Sequence, residues 1–260
     1  MKHSVAAGLA ALAAFNGTAA LAQDAETDWS FEVAPFLLAA GMDGTAGVRG
    51  VEAEIDMDFD TILDNLDSAF MARFEARRGP WGVGLEGIYF RLKGEEVRSW
   101  SGPLGNTNTA ALNWSTTEKV FQTTLYYELL RGETKLDALV GARYTELDSR
   151  LALTVDTGAP LLPDGARDVG RNEDWIDPVI GARVRAPISD NWYVLGYADI
   201  GGFGAGADLT YQLFASFGWQ YARQWSLEMG YRYFYQDYRN ADFKWDVTTS
   251  GPQLGLAFSW

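Results

Sequence analysis

Cysteine is absent from all 260 residues. Its absence excludes disulfides, thiol catalysis, Fe–S clusters and thiolate zinc sites. Histidine is nearly absent, with His3 the one copy. His3 lies in a segment expected to be removed, so the mature chain lacks the usual general base, the Ser-His and Cys-His nucleophile pairs and the commonest metal ligand. We expect no cofactor and no metal. Positive charge is scarce: 21 Lys and Arg against 35 Asp and Glu give a net charge of -14. That balance excludes a general nucleic-acid binder, which needs a basic surface to displace phosphate counterions. Past the N-terminus there is also no run of about 18 apolar residues, so no helix is expected to span a membrane.

The N-terminus has a different pattern. Lys2 and His3 precede the Ala- and Leu-rich run Val5 to Phe15, and Ala20-Leu21-Ala22 then fits a small-x-small cleavage pattern. The run is too short to cross a bilayer, and the pattern is that of a secretory signal peptide. We expect 1–22 to be removed and 23–260 to form one domain.

What the sequence does have is alternation. Trp225, Leu227, Met229, Tyr231, Tyr233 and Tyr235 fall on one face, and Ser226, Glu228, Gly230, Arg232, Phe234 and Gln236 on the other. Leu209 to Tyr221 and Ile176 to Ala186 repeat this period of two, the mark of strands with two unlike faces. Candidate strands are 29–40, 68–78, 81–95, 113–130, 135–155, 173–187, 191–203, 207–221, 225–239 and 243–260. Short turns at 78–80, 131–133, 189–191 and 222–224 alternate with longer polar loops at about 96–112 and 156–172. This fits an all-β, antiparallel up-and-down transmembrane β-barrel of ten strands. Eight strands result if one hairpin is a loop excursion, and twelve if Gly47 to Asp56 pairs as a further hairpin. Pro35, Pro178, Pro187 and Pro252 cannot donate to a ladder and should mark bulges or strand ends. Trp81, Trp192 and Trp225 each follow a short turn, Trp29 opens the first strand and Trp260 ends the last. In such a barrel all five share one rim, as an aromatic girdle. Tyr89, Tyr144, Tyr235, Tyr238 and Trp245 are expected toward the other rim.

The last strand, with Leu254, Leu256, Phe258 and Trp260 alternating with Gln253, Gly255, Ala257 and Ser259, resembles that of bacterial outer-membrane β-barrels. Those proteins carry a signal peptide and finish on a terminal aromatic, usually Phe. The stretch from Asp199 to Asp208 and Gly230-Tyr231-Arg232-Tyr233 resemble the opacity-type and OmpA-type porin-like barrels. The resemblance implies outer-membrane lipid and lipopolysaccharide as surroundings, and the barrel-insertion machinery as a partner reading the C-terminal strand. It is specific for architecture and nearly silent on activity.

Placing each polar face inward puts Glu32, Arg73, Glu75, Glu86, Glu118, Arg143, Asp177, Arg183, Arg185, Asp199, Glu228 and Arg232 in the lumen. Arg is the only cation among them, and its planar fork suits bidentate carboxylate pairing in a confined space. The charges then either fill a narrow barrel as a fixed network or line a small aqueous channel. Both readings are non-enzymatic. An outer-membrane enzyme acting on lipid or peptide is the alternative, although known members mostly rely on His. A secreted ligand-binding barrel needs the opposite faces. Segment 42–67 is acidic and does not read as a membrane strand. Phe59, Ile62, Leu63 and Leu66 suggest a short helix starting near Asp58, and the segment is expected to cover the mouth or plug the lumen. Asp56, Asp58 and Asp60 begin like a calcium loop, but Thr61 stands where Gly is needed and Asp67 where Glu is needed. We read a solvated acidic face. The glycines from Gly201 to Gly206 precede a strand pattern, not a helix, and read as a tight hairpin.

Overall fold

Strand alternation runs through nearly all of the computed structural model, which describes residues 28–48, 50–101, 107–156 and 165–260. The expected signal peptide lies outside the described residues. The strands are β1 (Ser30–Leu38), β2 (Gly41–Val48), β3 (Val51–Met57), β4 (Leu66–Arg78), β5 (Trp81–Ser101), β6 (Thr107–Leu130), β7 (Lys135–Asp156), β8 (Gly165–Ser189), β9 (Trp192–Gly202), β10 (Leu209–Ala222), β11 (Trp225–Arg239) and β12 (Phe243–Ser259). One helix, α1 (Phe59–Asp64), separates β3 from β4. Each of β4 to β11 pairs antiparallel with the next, β4 also pairs with β1, and β1 pairs with β12. Ten strands therefore close a ring, and closure leaves no open edge along it.

The segment around 42–67 departs from expectation. It does not plug the lumen; most of it extends the wall. β2 continues along β12 in the register that β1 began: Glu32 opposes Ser259, Leu38 opposes Gln253, and Gly41 opposes Ser250. β3 folds back on β2 as the hairpin that the twelve-strand alternative anticipated, but outside the closed ring. Continued in the β1–β4 register, Met42 would face Asn65; it faces Met57, and the eight residues between are looped out around α1. Asp58 caps that helix, accepting a hydrogen bond from Thr61 N at 2.8 Å. The loop-out separates β3 from β5. Above Leu92, β5 pairs with β6 alone, and β3 pairs with β2 alone among the described residues.

The wall is uneven in height. β5 to β8 have 21 to 25 residues each, whereas β9 has 11 and turns tightly through Phe203–Asp208 into β10. Gly202 and Gly204 take positive φ there, of 89° and 73°, which their lack of Cβ permits. The glycine-rich stretch is thus a hairpin. Pro187 sits at a register shift between β8 and β9, the bulge expected of it.

Outward side chains are apolar over the lower part of every long strand. At the end with the short turns, Trp29, Trp81, Trp192, Trp225 and Trp260 are all exposed. They contact other outward rings: Trp81 with Tyr127 at 4.7 Å, Trp192 with Trp219 at 5.9 Å, Trp225 with Phe258 at 4.7 Å, and Phe31 with both Trp29 and Trp260 at 6.1 and 5.5 Å. Tyr238 and Trp245 do not join the far rim as expected. Both turn inward, Trp245 into the core and Tyr238 stacked on Trp175 at 4.1 Å. Outward positions at their level carry Asp237 and Asp246.

Candidate functional site

The barrel interior has two tiers. The lower one, near the short turns, is charged. Small residues on the wall make room for it. A Cβ on Gly218 would lie 2.0 Å from the Tyr193 ring, and one on Gly84 2.8 Å from Tyr126. The two rings therefore lie flat against bare wall and offer faces to Arg. Arg185 sits 3.8 Å over Tyr193 and Arg183 4.3 Å over Tyr126.

Carboxylates occupy the other sides of these guanidiniums. Arg183 reaches Glu75 at 2.5 Å and Asp137 at 2.8 Å, and Arg77 bridges the same two carboxylates. Arg73 lies between Glu32 at 3.1 Å and Glu228 at 3.0 Å, while the Tyr193 hydroxyl donates to Glu228 at 2.8 Å. Arg185 stands 3.7 Å from Glu32. Higher in the tier, Arg232 makes a fork on Glu86 at 2.6 and 2.8 Å and donates to Gln253. Arg143, fully buried, holds Asp199 at 2.6 Å and also donates to Gln122 and Thr210. The pairs Arg143–Asp199, Arg183–Glu75, Arg232–Glu86 and Arg73–Glu228 join strands 56 to 155 residues apart in the chain, because alternation aims one residue in two at the axis.

Ten of the twelve residues expected in the lumen meet in this network. The other two lie above it. Asp177 has no ion-pair partner among the described residues; it accepts from Ala207 N at 2.6 Å and Trp175 Nε1 at 3.1 Å, so it pins the β9–β10 hairpin. Glu118 accepts from Gln236 at 2.8 Å, and its second carboxylate oxygen has no partner among the described residues. Sequence reading missed Arg77 and Asp137, which share a period-two face with Arg73, Glu75 and Arg143 and were legible by that signal. It also missed Gln122, Tyr193 and Tyr197, whose polar tips carry no charge to mark them.

The upper tier is apolar, contrary to the polar interior expected throughout. Met42, Leu92, Leu147, Trp175, Phe243, Trp245 and Val247 pack there, with Ile55, Met57 and Ile62 from the β3–α1 stretch against them. Phe36, Ile88, Val120 and Phe234 form a second cluster between the two tiers.

Space along the axis is discontinuous. A cavity of about 340 Å³ opens at the turn end among Glu32, Lys135, Arg183, Arg185 and Tyr193. In the middle, between Arg73, Glu86, Tyr126, Tyr197 and Arg232, about 30 Å³ remains, room for about two waters. Beyond it lies an apolar cavity of about 70 Å³ under α1.

A closed antiparallel ring with an apolar outer belt and a charged interior is the architecture of bacterial outer-membrane β-barrels. The solved structures it matches are of that class. The outer-membrane protease OmpT of Escherichia coli superposes with a TM-score of 0.64 at 10% identity, over 92% of this chain and 99% of that one. The translocator domain of the autotransporter NalP of Neisseria meningitidis matches with a TM-score of 0.40 at 12% identity, over 88% of each chain. Ail, the attachment invasion locus protein of Yersinia pestis, matches with a TM-score of 0.31 at 9% identity, over 89% of this chain and 98% of that one. No family model matches the chain, and no curated protein does. The likeness to opacity-type and OmpA-type barrels rests on sequence motifs alone.

Proposed function

We propose that the protein is a non-enzymatic, structural barrel of the bacterial outer membrane whose lumen is sealed by its own paired charges. The observation that carries this is the middle of the axis, where Arg–carboxylate pairs reaching across the lumen leave room for about two waters. The belt of Leu213, Phe217, Leu227, Met229, Leu254 and Leu256 faces lipid, with the five Trp at the periplasmic interface. Just above the belt, Lys119 pairs with Glu146 and Lys93 with Asp67, at the level of lipopolysaccharide headgroups. The strand ending at Trp260 is the part read by the insertion machinery. Strands β5 to β8 then rise beyond the bilayer, since about 9–11 tilted residues suffice to cross it.

The OmpT likeness shows the fold, and a fold does not carry an activity. Nearly every lower-tier carboxylate is committed to a guanidinium, which leaves no carboxylate pair to share a proton and activate water. The test is conductance of the refolded mature chain in planar bilayers. We expect little or none. Arg183→Ala with Arg185→Ala should open a small, cation-preferring leak, because Glu32, Glu75 and Asp137 then keep only Arg73 and Arg77 as ion-pair partners and negative charge dominates the path. A large, stable, porin-sized conductance from the unaltered chain would show that the lumen is not sealed.

A further inference from the structure

The cavity under α1 differs from the charged spaces lower on the axis. Its walls are almost wholly carbon: Leu38, Met71, Ile88, Phe90, Val120 and Phe234, with Phe59 and Leu63 of α1 as the roof. One ionisable group without an ion-pair partner among the described residues lines it. Glu118 is 2% exposed, and its Oε2 has no hydrogen-bond partner among the described residues. The nearby Arg232 is occupied by Glu86 and Gln253. Gln236 donates its amide to Glu118 Oε1 at 2.8 Å, which fixes the amide orientation and leaves Gln236 Oε1 as a second buried acceptor without a donor. Burying an acceptor unsatisfied costs about 1–3 kcal/mol, more for a charged group. With Glu118 ionised, this adjacent pair has two buried acceptors and one negative charge in need of donors.

The cavity is also reachable. Phe59, Leu63 and Leu66 around its rim are 38–53% exposed. Beside α1 the wall is parted, because the eight-residue loop-out keeps β3 away from the upper edge of β5. Only a ligand's tip needs to fit the 70 Å³, since the rim is open.

We propose that this cavity binds a small apolar molecule carrying a protonated primary amine, with the ammonium on Glu118 and the hydrocarbon against Val120, Ile88 and Phe234. An ammonium offers three donors and one positive charge, which is what an uncompensated carboxylate with a free oxygen lacks. An alcohol would satisfy one acceptor and leave the charge; a carboxylate would be repelled.

The experiment uses the refolded mature chain in a zwitterionic detergent, with n-butylamine, 1-butanol and butyrate as probes followed by titration calorimetry at neutral pH. Saturable butylamine binding is expected, at least tenfold tighter than butanol, with no binding of butyrate. Glu118→Gln should bring butylamine down to the level of butanol. Ala69→Leu, which fills the cavity from an exposed rim position, should weaken both. Heat-modifiable gel mobility checks that each variant is folded. Equal binding of amine and alcohol by the unaltered chain would overturn the proposal, as would an amine preference that survives Glu118→Gln. Binding unaffected by Ala69→Leu would assign the heat to the detergent or another surface, and would equally refute the site. None of these outcomes bears on conductance, so this inference and the sealed lumen fail separately.

Discussion

The lower and upper tiers of the lumen are built on the same strands, yet they are filled by opposite means. Below, Arg143, Arg183 and Arg232 are clamped by carboxylates. Above, Trp175, Trp245, Leu92 and Leu147 pack as in an ordinary core. A charged filling fixes geometry through forks and hydrogen bonds, but it must overcome the desolvation of every ion. An apolar filling carries no such penalty and specifies position less sharply. The switch falls where the outer belt ends. Lys119 is the first outward charge on β6, and its neighbours Glu118 and Val120 mark the inner boundary. Inside the belt the outer face is apolar and the inner face polar; above it, inner residues become the apolar ones and outer residues meet water. The two faces exchange roles as the strand leaves the bilayer.

The largest test of this contrast is Arg143→Ala, which strands Asp199 in the lower tier without its cation. A loss of about 3–5 kcal/mol is expected in denaturant unfolding of the folded barrel. Replacing both, Arg143→Met with Asp199→Leu, should recover most of that loss, since an apolar pair avoids desolvation. If the double variant is no better than the single one, the lower tier cannot be traded for a core like the upper. In the upper tier, Leu147→Ala should cost about 3 kcal/mol by cavity formation, with no dependence on salt or on a partner residue. On the outer face, Leu227→Arg should cost about 2–4 kcal/mol near mid-bilayer, and cysteines at 227 and 228 should label unequally with a lipid-phase probe.

The smallest effect is expected at α1. The Thr61 hydroxyl and backbone N–H hold the Asp58 carboxyl below its ordinary value. A lowered carboxylate contributes fully above its unfolded value and loses that contribution as pH falls through the folded one. Asp58→Ala should therefore fray the helix equally at pH 6 and 8, while in the parent chain the helix end loosens only in strong acid. Hydrogen exchange at Ile62 and Leu63 reads this. Fraying that grows between pH 6 and 8 would assign the cap elsewhere.

Most of the ring was legible because one period governs it. Once Arg232 and Glu228 are set opposite Leu227 and Tyr231, every second residue along β11 is placed, and the turns carry the alternation from strand to strand. The helix at Asp58 was legible by its cap. What alternation could not show is height along the axis, since the period is the same inside and above the belt. Trp245 and Tyr238 were therefore expected at the rim, although the parity of their positions already pointed inward. The hairpin of β2 and β3 was legible only as the twelve-strand alternative, for another reason. Its strands do alternate, with Met42, Ala46, Val48, Ile55 and Met57 packing inward, but the residues between are acidic or glycine rather than the outward apolar residues of a membrane strand, and β2 pairs with β12 while β3 pairs with β2. Which carboxylate meets which Arg depends on the stagger between strands, and no single strand's sequence contains it.

The shared register of β1 and β2 along β12 bears on how the barrel assembles. Ring closure joins Phe31 to Trp260 and Glu32 to Ser259, and is the pairing of greatest sequence separation among the described residues. Loop-closure entropy must be met before that contact forms, so it comes late and slowly. Until then β1 and β12 present bare backbone edges. Both carry a proline, Pro35 and Pro252, and a proline cannot donate to a ladder. β2 compensates by carrying the same zipper eight residues further, from Gly41–Ser250 to Val48–Phe243. The acidic hairpin is in this sense a latch on the last joint of the barrel, and shortening it should show first in the rate of closure.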